Sequence, residues 1–266
     1  MKRLLIIGAG GYVSAIVLPT LKKHFKDIDI TVLSKRPSNT KTVAAKNSVN
    51  ELRSIEDIDT YDLYFLAIPA VEYEYFLKLI PKDKPLWIEK PLSEATHKHF
   101  DSVTSELEKF TSNIYVGFNK REVVSDIQIP VAGISGELSM KIYYDESMKK
   151  SLWQQFMLEG GIYYADGIHV IDLALFILGS DASIELLVRT EDLWRFDVRS
   201  SKGVLIVEVG NAANDLIEIN SHVNKDFVNY THSLKFFKSS FSKFIQGESN
   251  YRVSVENTRK IIDALC

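Results

Sequence analysis

Residues 2–11 read Lys-Arg-Leu-Leu-Ile-Ile-Gly-Ala-Gly-Gly, and this stretch decides the fold. The apolar run at residues 4–7 predicts a buried strand, and the glycines after it predict a tight turn. A helix is predicted from about Gly11, since apolar residues then recur at helical spacing. These residues are Val13, Ile16, Val17 and Leu21. A strand, a glycine turn and a helix in this order predict the start of a βαβ unit.

The glycine turn has the first two glycines of a dinucleotide-binding fingerprint. Gly8 would permit the turn, and Gly10 would let the backbone approach a pyrophosphate held at the helix N-terminus. The third glycine of the fingerprint is replaced by Val13, so the match is incomplete. A plain βα turn rich in glycine is the alternative interpretation. The position after a strand and before a helix favours the nucleotide site.

The end of the second predicted strand indicates which dinucleotide would bind. Enzymes that use NAD normally place an acidic residue there, where it binds the ribose 2′-hydroxyl. Here the sequence is Leu33-Ser34-Lys35-Arg36, without an acid. Ser34 offers a hydroxyl, and Arg36 or Lys35 could pair with a 2′-phosphate. The alternative is a solvated basic loop. We expect NADP(H) to be favoured over NAD(H).

The order of predicted elements defines an α/β fold with two domains. Strands and helices alternate through residues 1–120, which predicts a Rossmann domain with a doubly wound parallel sheet. The pattern changes near residues 119–121. Residues 121–266 contain a strand at 137–144, a loop with Trp153, a helix at 160–178 and short alternating segments. They predict a C-terminal α/β domain with a mostly antiparallel open sheet, followed by helices near 232–247 and 254–265.

Residues 87–93, Trp-Ile-Glu-Lys-Pro-Leu-Ser, form a second informative stretch. A short buried strand is predicted to end at Glu89-Lys90, and open α/β sheets bind ligands at the carboxyl ends of their strands. Pro91 keeps Lys90 out of the helical region and thereby orients its side chain. We expect a specific Lys90–Pro91 peptide geometry, for which a cis bond is one option. Ser93 is predicted to cap a helix that reaches about Phe110.

Composition limits the classes of function. The formal net charge is −3 and the isoelectric point about 6.1, so neither a nucleic acid nor an anionic membrane surface is an expected partner. The single cysteine, Cys266, excludes an internal disulfide or a cysteine-based metal site, and no metal is expected. The N-terminal apolar run is short for a signal peptide, and no run reaches membrane-spanning length. The expectation is a cytoplasmic protein that acts on a small molecule.

Four motifs in order make the chain resemble the Gfo/Idh/MocA oxidoreductases. They are Gly8-Ala-Gly-Gly, Ile88-Glu-Lys-Pro91, Val116-Gly-Phe-Asn-Lys-Arg121, and Gly160-Gly161 followed by His169-Val-Ile-Asp172. The resemblance implies hydride transfer between a nicotinamide cofactor and a sugar, polyol or sugar derivative. It implies that Lys90 lies near the nicotinamide and the reacting carbon, and that His169 is the acid/base. It also implies a dimer through the C-terminal sheet.

The physical chemistry of the reaction agrees with these roles. Hydride transfer at a carbinol carbon requires the proton of the oxygen to move as well. Lys90 can supply positive charge where an alkoxide develops, and His169 suits proton transfer near neutrality. The predicted catalytic residues are Lys90, His169 and Asp166. The predicted cofactor-binding residues are Gly8, Gly10, Gly11, Tyr12, Ser34, Lys35, Arg36, Ile68, Pro69, Tyr73, Glu89, Lys90 and Asn119. The predicted substrate contacts are Lys90, Asn119, Arg121, Tyr163, Asp166 and His169.

Two departures from the family pattern leave alternatives open. The aspartate usually found four residues before the histidine is replaced by Ala165. Asp166 then approaches the imidazole from the other side of the helix, and Asp172 is the competing residue for orienting the ring. The segment between Arg121 and Gly136 is short, which predicts a more open pocket. A nucleotide-sensing regulatory protein, or a reductase of an imine or tetrapyrrole, remains as an alternative.

The predicted C-terminal sheet carries apolar residues on both of its faces. Examples are the runs at residues 186–188 and 204–207. One face can pack on the helices of its own domain, and the other then needs a cover. We therefore expect a homodimer through that face.

Overall fold

The computed structural model describes residues 1–52, 55–125, 134–143, 161–190, 193–212, 216–221, 225–228 and 233–266. Within these ranges no helix combines the length and apolar character needed to cross a membrane. The chain divides into two compact units. Unit 1 comprises Met1–Leu92, Asp101–Gly117 and Phe237–Tyr251. Unit 2 comprises Ser93–Phe100, Phe118–Phe236 and Arg252–Cys266. The boundary predicted near residues 119–121 is a single one, whereas each unit uses separate segments of the chain.

Unit 1 is built on a six-stranded sheet, and its pairs are all parallel. Its strands are β1 (Lys2–Ile7), β2 (Ile28–Leu33), β3 (Asn50–Glu51), β4 (Leu63–Leu66), β5 (Leu86–Ile88) and β6 (Ile114–Val116). They lie in the order β3-β2-β1-β4-β5-β6. This is the doubly wound order of a Rossmann fold, with the direction of winding reversing between β1 and β4. The predicted fold class of the N-terminal part is confirmed.

The helices of this half follow the strands in alternation. A π-helical turn at Val13–Val17 leads into α1 (Leu18–His24), and α2 (Pro37–Asn47), α3 (Tyr73–Leu79) and α4 (His97–Leu107) follow. The prediction that Ser93 caps α4 is wrong. The Ser93 hydroxyl bonds the carbonyl oxygen of Glu94, whereas Thr96 Oγ1 accepts the N–H of His99 at 3.3 Å. Thr96 therefore has the capping role at the start of this helix.

An aromatic row crosses the sheet of unit 1 at one level. Phe65, Trp87 and Tyr115 are register partners on β4, β5 and β6. Their rings stack, with centroids 5.3 Å apart for the first pair and 4.9 Å for the second. The helix α6 (Ser233–Ile245) covers this row with three phenylalanines, whose centroids lie 5.6–5.8 Å from that of Trp87. They are Phe237, Phe241 and Phe244. Burying this apolar area against the sheet stabilises unit 1.

Unit 2 contains a second, mixed sheet. Its strands are β7 (Ile134–Tyr143), β8 (Ser183–Arg189), β9 (Leu193–Ser200), β10 (Gly203–Ala212), β11 (Leu216–Ser221) and β12 (Lys225–Val228). The order is β12-β11-β7-β10-β9-β8, and the pair β7–β10 is parallel while the other pairs are antiparallel. The helix α5 (Gly161–Leu178) packs on β10, where the missing Cβ of Gly167 allows close contact with Val209. The predicted C-terminal α/β domain with a mostly antiparallel sheet is confirmed as a fold.

The chain ends in α7 (Tyr251–Leu265), which contributes buried polar residues to unit 2. The loop that the sequence analysis placed around Trp153 lies outside the described residues. Several segments follow the predicted elements closely. The strand β1 contains the predicted apolar run at residues 4–7, β2 ends at Leu33, and α5 begins one residue later than predicted.

Candidate active site

Gly8 is a glycine because the fold of unit 1 requires it. Its φ is +122°, which side chains rarely adopt, and a Cβ there would lie 2.1 Å from the carbonyl oxygen of Ala67. Its N–H donates to the carbonyl oxygen of Leu33 at 2.7 Å. Gly8 thus brings the end of β1 against the ends of β2 and β4. This glycine by itself does not indicate a ligand.

Gly10 and Gly11 differ from Gly8, because none of the described residues fills the space beside them. A Cβ added at either position would meet nothing within 4 Å in the part of the chain that the structure describes, and neither has a positive φ. Both residues are exposed. They sit at the start of the helical segment after β1, where backbone N–H groups are available to an anion. A pyrophosphate fits this open backbone, and the two glycines have no packing reason of their own.

The end of β2 presents Ser34, Lys35 and Arg36 beside the start of α2. The Ser34 hydroxyl contacts Thr40 Oγ1 at 2.9 Å and donates to the carbonyl oxygen of Arg36 at 2.8 Å, so it stabilises the turn before α2. Lys35 Nζ lies 3.0 Å from Glu72 Oε1. Arg36 is exposed and takes part in no ion pair recorded in the described part of the chain. Of the two predicted 2′-phosphate ligands, Arg36 is therefore the more available.

Ile68 and Pro69 follow the end of β4 and are half-buried. Because β4 runs parallel to β1, they lie at the same edge of the sheet as the glycine turn. Tyr73 lies further on, at the start of α3, and its side chain has no exposed surface. Its hydroxyl donates to the carbonyl oxygen of Glu89 at 2.6 Å. This burial corrects the prediction that Tyr73 contacts the cofactor directly. The ring belongs to the core and supports the end of β5.

Glu89 is the most unusual titratable group of unit 1. Its side chain accepts a 2.9 Å hydrogen bond from Trp87 Nε1. The carboxyl group occupies the space that a side chain at position 117 would need, because a Cβ on Gly117 would lie 2.6 Å from Oε2. Burial raises the pKa of Glu89 to about 7, against the lowering effect of Trp87 and Lys90. Because the side chain is buried, Glu89 would affect a cofactor through neighbouring residues rather than by direct contact.

Lys90 follows directly, at the carboxyl end of β5, and is half-buried. The Lys90–Pro91 peptide bond is cis, one of the geometries considered from the sequence. The turns after β1, β2, β4 and β5 thus bring most of the predicted cofactor residues to one edge of one parallel sheet. This edge is where open α/β sheets bind ligands.

Unit 2 carries a buried polar network centred on Arg121. Its Nε lies 2.7 Å from Asp172 Oδ2, its Nη2 binds Asp172 Oδ1, and its Nη1 lies 3.0 Å from Ser254 Oγ. Asn257 donates to the same aspartate at 2.9 Å. The guanidinium also lies over the ring of Phe118, 4.9 Å from its centroid. Arg121 is thus fully engaged within unit 2, and the predicted substrate contact would require this network to open.

His169 lies on α5 and is half-buried, with its ring 6.3 Å from that of Phe118 in an edge arrangement. Asn119, at the start of the 3₁₀ segment Asn119–Ser125, is buried. The side chains of Tyr163 and Asp166 lie outside the described residues, so their predicted roles stay predictions. Asp172 is bound by Arg121 and Asn257, which makes it an anchor of that network. This binding argues against Asp172 as the residue that orients His169.

Two features of the site were missed by the sequence analysis. The bond between Trp87 and Glu89 follows from strand alternation, because residues two apart point to the same face. That spacing could have signalled it. The bonds of Arg121 to Asp172 and Ser254, and of Asn257 to Asp172, join residues 51 to 133 positions apart, and no local pattern reports such contacts.

No family model matches the chain, and no curated protein matches it. Solved structures do. An oxidoreductase of the Gfo/Idh/MocA family from Vibrio cholerae shares 14% identity and a TM-score of 0.70, over 100% of this chain and 97% of that one. The WlbA dehydrogenase from Thermus thermophilus, in complex with NAD and UDP-GlcNAcA, shares 15% identity and a TM-score of 0.76, over 100% of this chain and 94% of that one. KijD10, a 3-ketoreductase from Actinomadura kijaniata in complex with NADP and TDP-benzene, shares 15% identity and a TM-score of 0.71, over 99% of this chain and 96% of that one.

The chain therefore has a doubly wound, Rossmann-like unit and a second unit built on a mixed sheet. More particularly, it has the fold found in oxidoreductases of the Gfo/Idh/MocA family.

Proposed function

We propose that the chain is an NAD(P)-dependent oxidoreductase that transfers a hydride between nicotinamide and a carbohydrate-like alcohol or carbonyl. The observation that carries the proposal is the pair Gly10 and Gly11. Packing of the described residues does not require glycine at either position, because a Cβ there would meet nothing within 4 Å among them. It lies where the strand order of a doubly wound sheet reverses, and nucleotides bind at that point in such sheets. A plain structural turn would need only Gly8.

NADP(H) is the proposed cofactor, in preference to NAD(H). The end of β2 has no acid that could bind a ribose 2′-hydroxyl, and Arg36 is exposed there beside the first turn of α2. An arginine can bind a 2′-phosphate through two N–H groups at once. Lys35 is held by Glu72 and is the weaker candidate. The neighbours with related folds are described with NAD in one case and NADP in the other.

The proposed substrate class is a sugar, a polyol or a sugar nucleotide. Support comes from the resemblance to the Gfo/Idh/MocA motifs and from neighbours whose complexes hold UDP-GlcNAcA or TDP-benzene. The bound nicotinamide would accept or donate the hydride. The protein would move the accompanying proton and stabilise charge on the substrate oxygen.

Lys90 and His169 are the residues proposed for that work. A lysine at a strand end can stabilise a developing alkoxide, and a histidine exchanges protons near neutral pH. Asp166 is proposed to orient the imidazole, since Asp172 is used by Arg121. Tyr163 and Asn119 remain proposed substrate contacts.

A homodimer through the second sheet is also proposed. Leu187 and Val188 on β8 are 47% and 37% exposed, which leaves apolar surface to cover. The neighbouring strands carry ion pairs as well, between Arg195 and Glu208 at 3.2 Å and between Arg199 and Asp197. The face is therefore mixed rather than apolar. A monomer by light scattering at micromolar concentration would contradict the dimer.

Turnover of NADPH with a panel of carbonyl substrates, and of NADP⁺ with free polyols and sugar nucleotides, tests the proposed function. We expect hydride transfer with at least one sugar derivative, and its loss in Lys90→Ala. Saturable cofactor binding without turnover on any member of the panel would favour the nucleotide-sensing alternative. Turnover confined to imines or tetrapyrroles would place the substrate in the other class considered.

A further inference from the structure

One face of α5 is contacted over two turns by two residues of the motif that ends in Arg121. His169, Asp172 and Phe176 follow one another at helical spacing and therefore lie on that face. The ring of Phe118 lies 6.3 Å from the imidazole of His169, at an interplanar angle of 85°. The guanidinium of Arg121 binds Asp172 and lies over the ring of Phe176, 5.2 Å from its centroid. Two residues of one motif thus contact three successive positions on this face.

Phe118 is itself held in place by Arg121. The guanidinium carbon lies over the Phe118 ring, 4.9 Å from its centroid. The main-chain N–H of Arg121 donates to the carbonyl oxygen of Phe118 at 3.1 Å, so the two side chains leave one tight turn. Both residues are buried. Because Asp172 and Ser254 together fix the guanidinium through Nε, Nη1 and Nη2, the ring beneath it has little freedom to move.

The contact with Phe118 matters because His169 is only half-buried. An acid/base imidazole has to present one ring nitrogen to the substrate oxygen, and its side-chain torsions decide where that nitrogen points. Aromatic rings whose centroids are about 4.5–7 Å apart favour an edge arrangement over many other geometries. The Phe118 ring therefore favours one orientation of the imidazole. Asp172, on the same face of α5, is already bound by Arg121 and Asn257.

We propose that Phe118 is a positioning residue for His169 and that Arg121 acts through it. The Phe118 ring holds the imidazole in the orientation used for proton transfer, and the pair of Arg121 and Asp172 holds that ring. This proposal rests on the proposed function, because it assumes that His169 is the acid/base. It gives Arg121 a part in the reaction while its buried network stays closed.

The first measurement follows the imidazole in the protein without cofactor or substrate. Three-bond couplings to Cγ of isotope-labelled histidine report the χ1 torsion, and the His169 signal is identified by its loss in His169→Gln. We expect the couplings of one rotamer in the parent and averaged couplings in Phe118→Leu, which lacks the ring. If that variant does not fold, Phe118→Met takes its place, since methionine fills apolar space flexibly. Averaged couplings in the parent, or one rotamer in the variant without the ring, would overturn the proposal.

Phe100→Leu is the matched control for this substitution. Phe100 lies on α4, is buried in unit 2 and also has a guanidinium over its ring, that of Arg259 at 4.7 Å from the centroid. The substitution removes the same atoms from the core and should lower the free energy of unfolding comparably. The couplings of His169 should remain those of one rotamer. Averaged couplings in both variants would show that His169 responds to any loss of packing, and would overturn the proposal.

The second measurement is single-turnover hydride transfer with a substrate that the parent turns over, alongside NADPH affinity. Phe118→Leu should slow the transfer by about tenfold or more with NADPH affinity unchanged, because a displaced group loses much of its effect. In a His169→Ala background the same substitution should have little further effect, since no imidazole is left to position. Equal slowing in both backgrounds would overturn the proposal. Absence of transfer by the parent on every substrate would count against the proposed function, whereas the couplings need no reaction and test Phe118 alone.

Discussion

Arg121 and Asp172 form a two-point ion pair inside unit 2, with Nε and Oδ2 2.7 Å apart. Their side chains are 6% and 1% exposed, so neither charge is solvated by water. Both residues lie in motifs that the sequence analysis assigned to the site, since Arg121 ends one motif and Asp172 ends another. The structure shows the pair at the centre of a buried polar network within unit 2.

Breaking this pair should lower the free energy of unfolding. Asp172→Ala leaves a buried guanidinium without its counter-charge, and such a loss typically costs about 3–5 kcal/mol. Replacing both residues, as Arg121→Met with Asp172→Leu, should cost less than Asp172→Ala. Urea unfolding measures these differences. Lys78→Ala, which removes an exposed pair with Glu74 at 3.8 Å, is the control and should change stability by at most about 1 kcal/mol.

Cofactor choice should depend on Arg36. Arg36→Ala removes a charge-assisted hydrogen bond to a 2′-phosphate, and we expect NADPH affinity to fall by about tenfold or more with NADH affinity unchanged. Nicotinamide fluorescence titration measures both constants. Lys35→Ala is the matched control, because Glu72 already holds that lysine. Equal NADH and NADPH affinities in the parent would show that the 2′-phosphate is not recognised.

Stability should depend on pH through Glu89. Its pKa in the folded protein is about 7 against an ordinary value of 4.5, so the folded state holds this proton more tightly. The resulting contribution is complete below pH 4.5 and is lost as the pH rises through about 7. Between about pH 5 and pH 8 the parent should therefore lose stability relative to Glu89→Gln, by on the order of 2 kcal/mol. Parallel unfolding curves across this range would contradict the assignment.

The chemical step should need Lys90 and His169. Removal of an acid/base group typically lowers the rate by about a hundredfold to ten-thousandfold, so Lys90→Ala and His169→Ala should slow single-turnover hydride transfer while NADPH still binds. Asp166→Ala should cost less, since its proposed role is to orient the ring. Parent-like transfer by His169→Ala would make Tyr163 the next candidate.

Several elements were predictable because their local pattern matches their environment. The strands β1 and β5 are apolar runs that lie buried between other elements, and α5 shows an apolar pattern over 18 residues. The helix α2 was missed, because only Thr40, Val43 and Ala44 of its residues are buried. A helix that is polar over most of its surface has little periodicity to read.

Non-local features were the least predictable. The parallel pairing of β7 with β10 joins segments about seventy positions apart, as the partners Ile134 and Gly203 show. The burial of Glu89 likewise depends on Gly117, which follows β6. The cap of α4 was misplaced by three residues, since Ser93 and Thr96 offer similar hydroxyls and only the structure distinguishes them.

The dinucleotide site at the glycine turn is the central claim, and a titration with NADPH tests it most directly. The parent should bind saturably. Gly10→Asp should retain the parent's unfolding transition, because the space beside Gly10 is open, and should lose binding through repulsion of the pyrophosphate. Ala15→Asp, which places the same charge further along the helix on an exposed residue, is the control and should bind far better than Gly10→Asp. No saturable binding by the parent, or parent-like binding by Gly10→Asp, would contradict the claim.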